Sequence, residues 1–241
     1  MSTKIALVTG AGRGIGAAVS LRLARSGYDI WANYKSNHEA AEKLRLEVEK
    51  LGRKCTLVCF DVCNEQEVNG KLEPLLAGAV PDVLINNAGF YKDALLMWMK
   101  QEEWQRVVDV NLLGFFLVTR AVLLGMLKRR SGRIINIASV SGQAGHSGQV
   151  NYSAAKAGLI GATKALALEV CKKGVIVNCV SPGIIETEMT AALPLKEILP
   201  SIPAGRLGTP DEVAAVVEFL CSESAGYIVG QVISVNGGLY V

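Results

Sequence analysis

The chain has 241 residues, half of them hydrophobic and 20% charged, with 25 Lys and Arg against 22 Asp and Glu for a formal net charge of +3. That length suits one α/β domain able to bury a core without disulfide or metal staples, and the composition excludes disorder and a simple coiled coil. The charge is too small to argue for nucleic acid, and the lack of an apolar run of about 18 residues or of a signal-peptide pattern predicts a soluble, cytoplasmic chain with no membrane partner.

Apolar runs and helical patterns alternate along the sequence. Residues 4–9 (KIALVT) read as a strand, followed by glycines and a helix over 15–26. A strand at 28–33, an amphipathic helix at 38–51 stopped by Gly52, and a strand at 54–60 come next. Then follow a helix near 64–77, a strand at 82–86, a long helix at 102–128 and a strand at 133–138. A helix at 150–173 stopped by Gly174, a strand at 175–181, a helix at 210–221 and a strand at 231–236 close the pattern. Strands separated by helices predict a single Rossmann-type α/β domain over 1–241, with a doubly wound, seven-stranded parallel sheet and helices on both faces. Parallel strands need crossovers, and right-handed crossovers cover both faces. Near-continuous apolar strands such as IALV and VLIN fit burial on both sides. Residues 182–208, with Pro194, Pro200 and Pro203, are too interrupted for a sheet element and read as an insert.

Gly10, Gly12, Arg13, Gly14, Ile15 and Gly16 lie between the first strand and the first helix. Glycines there permit a tight turn and close approach of a diphosphate, and the helix N-terminus offers free N–H groups and a positive dipole end. Such a stretch can be an ordinary turn, but its place at the first strand–helix junction points to dinucleotide binding. NAD-preferring folds put an acid on the ribose about 20 residues later. Here the second strand ends Asn33-Tyr34-Lys35 with no carboxylate, and Arg13 and Lys35 together suit a 2′-phosphate, so NADP(H) is expected. The plainer alternative is that Lys35 is a solvated surface lysine.

Tyr152 and Lys156 share one helical face at i,i+4, and Ser139 directly follows the fifth strand. Ligands bind outside the carboxyl ends of parallel strands, so the three can meet in one crevice. A phenol is a sluggish acid at neutral pH, and bringing it near 7 takes about 4 kcal/mol, roughly what an ammonium ~4 Å away supplies. Hydride transfer to a carbonyl builds an alkoxide that needs a proton donor and a polarising hydroxyl, roles that Tyr152 and Ser139 fit. The six cysteines (Cys55, Cys59, Cys63, Cys171, Cys179 and Cys221) form no CxxC pair, so no metal is expected of them.

With the NNAG segment at 86–89, Asn111 and Pro182-Gly183, these motifs resemble the short-chain dehydrogenase/reductase family over essentially the whole chain. The stretches DALLM (93–97), KQEEW (100–104), PGIIETEM (182–189) and VNGG (235–238) resemble its 3-oxoacyl-[acyl-carrier-protein] reductase branch. By that resemblance Tyr152 is the general acid, Lys156 lowers its pKa and binds the nicotinamide ribose, and Ser139 orients the carbonyl. Asn111 holds a water linking Lys156 to solvent, or is a helix amide bonded to backbone. Asp61 and Val62 take the adenine side, and Asn87, Ala88 and Gly89 line the cofactor. Pro182, Gly183, Ile185 and Thr187 belong to its nicotinamide and diphosphate side, while Asn86 is structural.

The resemblance implies NADPH-dependent reduction of 3-oxoacyl thioesters on acyl carrier protein. Reduction of another ketone or alcohol (acetoacetyl-CoA, a sugar or a steroid) and a non-catalytic scaffold subunit are the alternatives. It further implies a homotetramer, with a hetero-oligomer of related chains left open, a substrate lid at 182–208, and a carrier-protein surface near Arg129, Arg130 and Lys173. Basic residues at helix C-termini also have a plainer role in complementing the macrodipole. Phe90, Tyr91 and Trp98 make the segment after NNAG more aromatic than the branch leads one to expect; core or subunit packing and a flat aryl or conjugated acyl chain are the two readings.

Overall fold

Seven apolar runs pair into one parallel sheet in the computed structural model, which describes residues 3–188, 190 and 194–241. The strands are β1 (Lys4–Val8), β2 (Tyr28–Tyr34), β3 (Cys55–Cys59), β4 (Val83–Asn86), β5 (Gly132–Ile137), β6 (Val175–Pro182) and β7 (Val232–Val235), in the order β3-β2-β1-β4-β5-β6-β7. Ala6 pairs with Ile30 of β2 on one side and Val83 of β4 on the other, so the winding reverses at β1. A crevice opens at the carboxyl ends of β1 and β4, where doubly wound sheets bind ligands.

The connections are α1 (Gly14–Arg25), α2 (His38–Lys50), α3 (Glu65–Gly78), α4 (Gln101–Val108), α5 (Gly114–Arg129), α6 (Val140–Ala144), α7 (Val150–Val170), α8 (Leu195–Ile198) and α9 (Pro210–Cys221). Alternation along each strand feeds two cores. Ala6, Val8 and Ile30 meet Val19 and Leu23 of α1 and Val213, Val217 and Leu220 of α9. Leu7, Leu84 and Ile134 meet Val68 and Leu72 of α3 and Leu117, Val118 and Val122 of α5. Both strand faces are dry, which is why the strands read as unbroken apolar runs.

The helix starts differ in a way that matters for the site. Asn37, Asn64 and Thr209 cap α2, α3 and α9 with side-chain acceptors, whereas α1 (at Arg13) and α7 (at Gln149) have no side-chain cap. The helices that carry the glycine loop and the Tyr-x-x-x-Lys pair are thus both without a side-chain cap.

The helix expected at 102–128 runs from 101 to 129 but carries a π turn, Asp109–Leu113, between α4 and α5. Asn111 Nδ2 donates to Val107 O, four residues back, at 2.8 Å. That side-chain bond takes a carbonyl the backbone ladder would use and accompanies the wider turn. Residues 101–129 form one helix long and apolar enough to cross a membrane by length and composition, a feature the run-length reading passed over. Val107, Leu117, Val118, Val122 and Met126 lie in the protein core, so its inner face packs on the sheet. The last turn of the helix expected at 150–173 is a 3₁₀ turn, Cys171–Lys173, ended by Gly174. The insert contains α8 and a 3₁₀ turn at Leu199–Ser201, and its ends are stitched by Gly208 N–H to Ile184 O (3.0 Å) and Glu186 N–H to Gly208 O (2.8 Å). Met189 and residues 191–193 of the expected lid lie outside the described residues.

A buried polar ladder crosses the sheet beneath the crevice. Asn86 Nδ2 donates to Thr119 Oγ1 (3.0 Å) and Asn136 Oδ1 (2.9 Å), Asn136 Nδ2 to Thr163 Oγ1 (2.8 Å), and Thr163 Oγ1 to Leu159 O (2.7 Å). It locks β4 and β5 to α5 and α7, in keeping with a structural role for Asn86.

Candidate active site

The glycine loop is built from its own backbone and from two asparagines. Gly10 sits at φ 61°, and a Cβ on Gly16 would stand 2.2 Å from Gly10 O, so helix α1 meets the loop where no side chain fits. Asn33 braces the loop: its Oδ1 accepts from Gly10 N–H (3.1 Å), its carbonyl from Ala11 N–H (2.8 Å), and its Nδ2 donates to Phe60 O (3.0 Å). The amide of Asn33 thus holds the loop to β3 from inside the protein. Asn87 Nδ2 donates to Thr9 O (2.9 Å) and Gly10 O (3.1 Å), and the Asn87 and Ala88 N–H groups both donate to Thr9 Oγ1 at 3.0 Å. Thr9, which the sequence reading passed over, is the pin between the two cofactor-side loops.

The two cations expected at a 2′-phosphate are already paired. Arg13 Nη1 lies 3.1 Å from Glu188 Oε2, and Lys35 forms an ion pair with Asp61. Burial pushes the Asp61 carboxyl up, but Lys35 and the Cys63 N–H outweigh it and hold the carboxyl below its usual range. Both pairs have exposed cations, and exposed pairs contribute only about 0–1 kcal/mol, so an incoming dianion competes with them at little cost. The Tyr34 hydroxyl is 2.7 Å from His38 Nδ1. Val62 and Ile185 are buried, one in each core, and Val62 also lines a small cavity with Thr9, Ala88 and Asn111. Thr187 stands over the loop, its methyl 3.2 Å from where a Cβ on Gly14 would be, and Gly183 N–H is held by Val235 O at 2.9 Å beyond Pro182. Gly12 has room, with only Ala40 and Ala41 atoms 3.8 Å from its missing Cβ, and Ile15 is half-buried at the start of α1. These features fit a diphosphate: an uncapped helix start, no acid in its first turn, and a backbone that can be approached closely.

Ser139 caps α6, its Oγ accepting from Ser141 N–H at 3.2 Å. Strand β5 and helix α7 bring the Ser139 hydroxyl close enough to the Tyr152 phenol to favour its ionised form. Burial outweighs that effect and pushes the phenol up to about 12, and the charges of Tyr91 and Asp93 add to the rise. Lys156 Nζ lies 5.5 Å from the Tyr152 ring centroid and donates to Ile137 O at 2.8 Å rather than to the phenol. Burial pulls its ammonium down to about 8. In the free chain both groups are desolvated, and the neutral form of each gains.

The two ends of the Asn111 amide have different surroundings. Its Nδ2 donates to Val107 O and to Phe90 O, each at 2.8 Å, while its buried Oδ1 has no hydrogen-bond partner among the described residues. A Cβ on Gly89 would lie 3.2 Å from that Oδ1 and 3.5 Å from Lys156 Nζ, so glycine keeps a gap between the two.

Outside the crevice, Arg129 is committed to its own subunit, donating to Val80 O (2.9 Å) and Pro81 O (3.0 Å) and pairing with Asp82 at 3.2 Å. Arg130 ends α5 in the left-handed region, its guanidinium on Lys172 O at 3.2 Å, with Lys172 and Lys173 exposed beside it. Trp98 is 71% exposed, next to exposed Leu95, Leu96 and Met97, so it does not pack in the core of this chain. Phe90 lies under the Arg106 guanidinium at 4.7 Å, and the Tyr91 ring meets that of Tyr152. Among the described residues no group of His, Cys, Asp and Glu could hold a metal ion.

A reversal of winding, an open glycine loop above it and a Ser–Tyr–Lys group in the same crevice define the class as a nicotinamide-dependent oxidoreductase. A family model described as enoyl-(acyl carrier protein) reductase matches residues 10–240. The chain is 46% identical to an acetoacetyl-CoA reductase of Shinella zoogloeoides, over 99% of each chain. It is 47% identical to a 3-oxoacyl-[acyl-carrier-protein] reductase of Synechocystis sp., over 99% of this chain and 98% of the relative. A Vibrio cholerae protein of the same name is 46% identical over 99% and 98%. With matches of that extent, the chain belongs to the short-chain dehydrogenase/reductase family.

Proposed function

We propose that the protein reduces 3-oxoacyl thioesters carried on acyl carrier protein to 3-hydroxyacyl thioesters, using NADPH. The observation that carries this reading is the gathering of Ser139, Tyr152 and Lys156 in the switch-point crevice, on a chain aligned end to end with relatives of that name. Bound NADPH supplies the hydride that the 3-oxo carbon accepts. Ser139 donates a hydrogen bond to the carbonyl oxygen and sets its direction. Tyr152 gives its phenolic proton to the oxygen as it becomes an alkoxide. A phenol held near 12 is fully protonated at neutral pH, and a secondary alkoxide is far more basic, so the transfer runs downhill. Reduction thus asks nothing of a phenol brought near 7. Lys156, titrating near 8, returns a proton to the phenolate, and the gap at Gly89 between Lys156 and the Asn111 acceptor is a path to refill it.

The glycine loop and the uncapped start of α1 would hold the diphosphate, with Asn87–Gly89 and Thr187 on its flank. Arg13 and Lys35 favour a 2′-phosphate, since no acid ends β2. Exposed Arg130 and Lys173 form the basic surface for an acidic carrier protein; Arg129 is excluded because its guanidinium is used internally. Exposed apolar positions on α5 (Phe116 and Leu124) and α7 (Leu168) support assembly into a tetramer. The stitched insert at 182–208 is the lid in this reading.

NADPH consumption with acetoacetyl groups on carrier protein and on CoA tests the reading, beside Tyr152→Phe. The carrier-bound substrate should have the higher kcat/KM, and Tyr152→Phe should lose at least about 100-fold while still binding NADPH. A preference for the CoA thioester would favour the acetoacetyl-CoA reductase reading, which the Shinella relative supports. Absence of turnover with any ketone despite cofactor binding would favour a scaffold subunit.

A further inference from the structure

The first turn of α7 carries Tyr152 yet has little of its own to hold it still. Gln149 provides no side-chain cap, no acid stands in the turn, and the Ser153 hydroxyl is buried with no partner among the described residues. Such a turn frays unless something outside the helix fixes it. The restraint comes from residues 90–94, which follow β4 and run across the helix start as a strap. Phe90 O accepts from Asn111 Nδ2 (2.8 Å) and Lys92 O from Asn151 Nδ2 (3.1 Å). Asp93 Oδ1 accepts from Gln149 Nε2 (3.1 Å), and Ala94 N–H donates to Gly148 O (2.9 Å). The strap is therefore anchored to the Asn111 turn at one end and to the start of α7 at the other. In its middle the Tyr91 ring meets the Tyr152 ring edge-on, with centroids 6.0 Å apart and planes at 63°.

We propose that Tyr91 is a positioning residue, whose ring, held by the 90–94 strap, fixes the Tyr152 hydroxyl where it reaches the substrate carbonyl. The proposal rests on Tyr152 being the proton donor of the reductase reading. An edge-to-face pair restricts rotation of the ring it meets, and the phenolic oxygen lies at the far end of that ring, where a small turn becomes a large displacement. A misplacement of about 1 Å at a reacting group costs up to about 100-fold in rate. The groups that face Tyr152 are Ser139 at the start of α6, Lys156 one turn along α7, and Tyr91 and Asp93 from the strap. Removing the Tyr91 ring opens the strap side of the phenol to water.

Tyr91→Leu removes the ring, Tyr91→Phe keeps it, and Tyr91→Met replaces the leucine variant should that fail to fold. Losing the ring should lower kcat by about 10- to 100-fold and leave the Kd for NADPH unchanged. Tyr91→Phe should keep wild-type kcat. Equal losses in the Phe and Leu variants, or a loss confined to KM, would overturn the proposal. A second readout needs no substrate: ¹³C NMR of labelled tyrosine, assigned with Tyr152→Phe, follows ionisation of Tyr152 in the free protein. A downward move in Tyr91→Leu and none in Tyr91→Phe supports the pairing even if wild type reduces no 3-oxoacyl thioester, in which case the reductase reading alone falls. An unmoved Tyr152 in Tyr91→Leu overturns the pairing whatever the substrate.

Discussion

Lys156 is the residue whose energetics the fold exposes to the most direct measurement. Its ammonium is drawn from the ordinary 10.5 to about 8 because burial penalises the charged form. A drop of about 2.5 in pKa corresponds to about 3 kcal/mol of stability forgone at neutral pH, where the native state must keep a desolvated charge that the unfolded chain hydrates freely. Proton counting gives the sign. Between pH 8 and 10.5 the unfolded chain holds a proton on Lys156 that the native protein has released, so stability rises with pH across that window. Below about pH 8 the cost is fully present, and above about 10.5 it is gone. Lys156→Met removes the titration and keeps the length of the side chain. It also leaves Ile137 O without its donor, a pH-independent loss that shifts the variant by a constant. The quantity to measure is therefore the gap between wild type and Lys156→Met in urea unfolding, at pH 7.0 and 9.5, at matched protein concentration and without cofactor. From pH 7.0 to 9.5 wild type should gain about 2 kcal/mol relative to the variant. Titrations of Tyr152 and the buried cysteines occur in both proteins and largely cancel. A gap that stays constant would mean that Lys156 titrates at its ordinary value, and the proton-return role given to it would lose its physical basis.

Three further outcomes follow from particular contacts. Gly89→Ala puts a methyl 3.2 Å from Asn111 Oδ1 and 3.5 Å from Lys156 Nζ, both side-chain ends that can yield; kcat should fall about 10-fold with melting almost unchanged, and full activity would refute the path through that gap. Lys35→Ala should weaken NADPH binding by about 1 kcal/mol or more and leave NADH binding nearly as it was, read by fluorescence titration; equal weakening of both would show that Lys35 does not meet the 2′-phosphate. Asn136→Leu breaks the ladder between Asn86 and Thr163 and leaves buried polar atoms unpaired, costing about 2–4 kcal/mol in urea unfolding; a variant as stable as wild type would show that the ladder is not needed to hold β4 and β5 to their helices.

The parallel sheet was legible because both strand faces are dry and the helices keep a clean period, signals that local sequence carries in full. The glycine loop and the Tyr152–Lys156 pair were legible because their spacing is short. What escaped the sequence depends on partners far along the chain or on burial. Lys35 meets Asp61 and Arg13 meets Glu188 across 26 and 175 positions, and nothing near Lys35 or Arg13 announces those acids. Thr9 looked like the last residue of a strand, and its use as a pin needs the NNAG loop folded above it. The effect of burial on Tyr152 and Lys156 was not legible, because charge proximity can be read from a motif while desolvation cannot.

Asn111 has a structural bond at one end of its amide and an unpartnered acceptor at the other. Two alternatives were open for it, an amide spent on backbone and an amide serving Lys156, and they seemed to compete. The side chain has two ends, and the helix uses only one of them. Because Nδ2 donates to Val107 O and to Phe90 O, it accompanies the π turn between α4 and α5 and anchors the strap that crosses Tyr152. Those same bonds fix the direction of Oδ1, which is left without a partner and on the other side of the Gly89 gap from Lys156 Nζ. Asn111→Leu would therefore do more than delete an acceptor. It would remove the donor bond to the Val107 carbonyl and release the strap at Phe90, so the lysine and the tyrosine should lose their settings together.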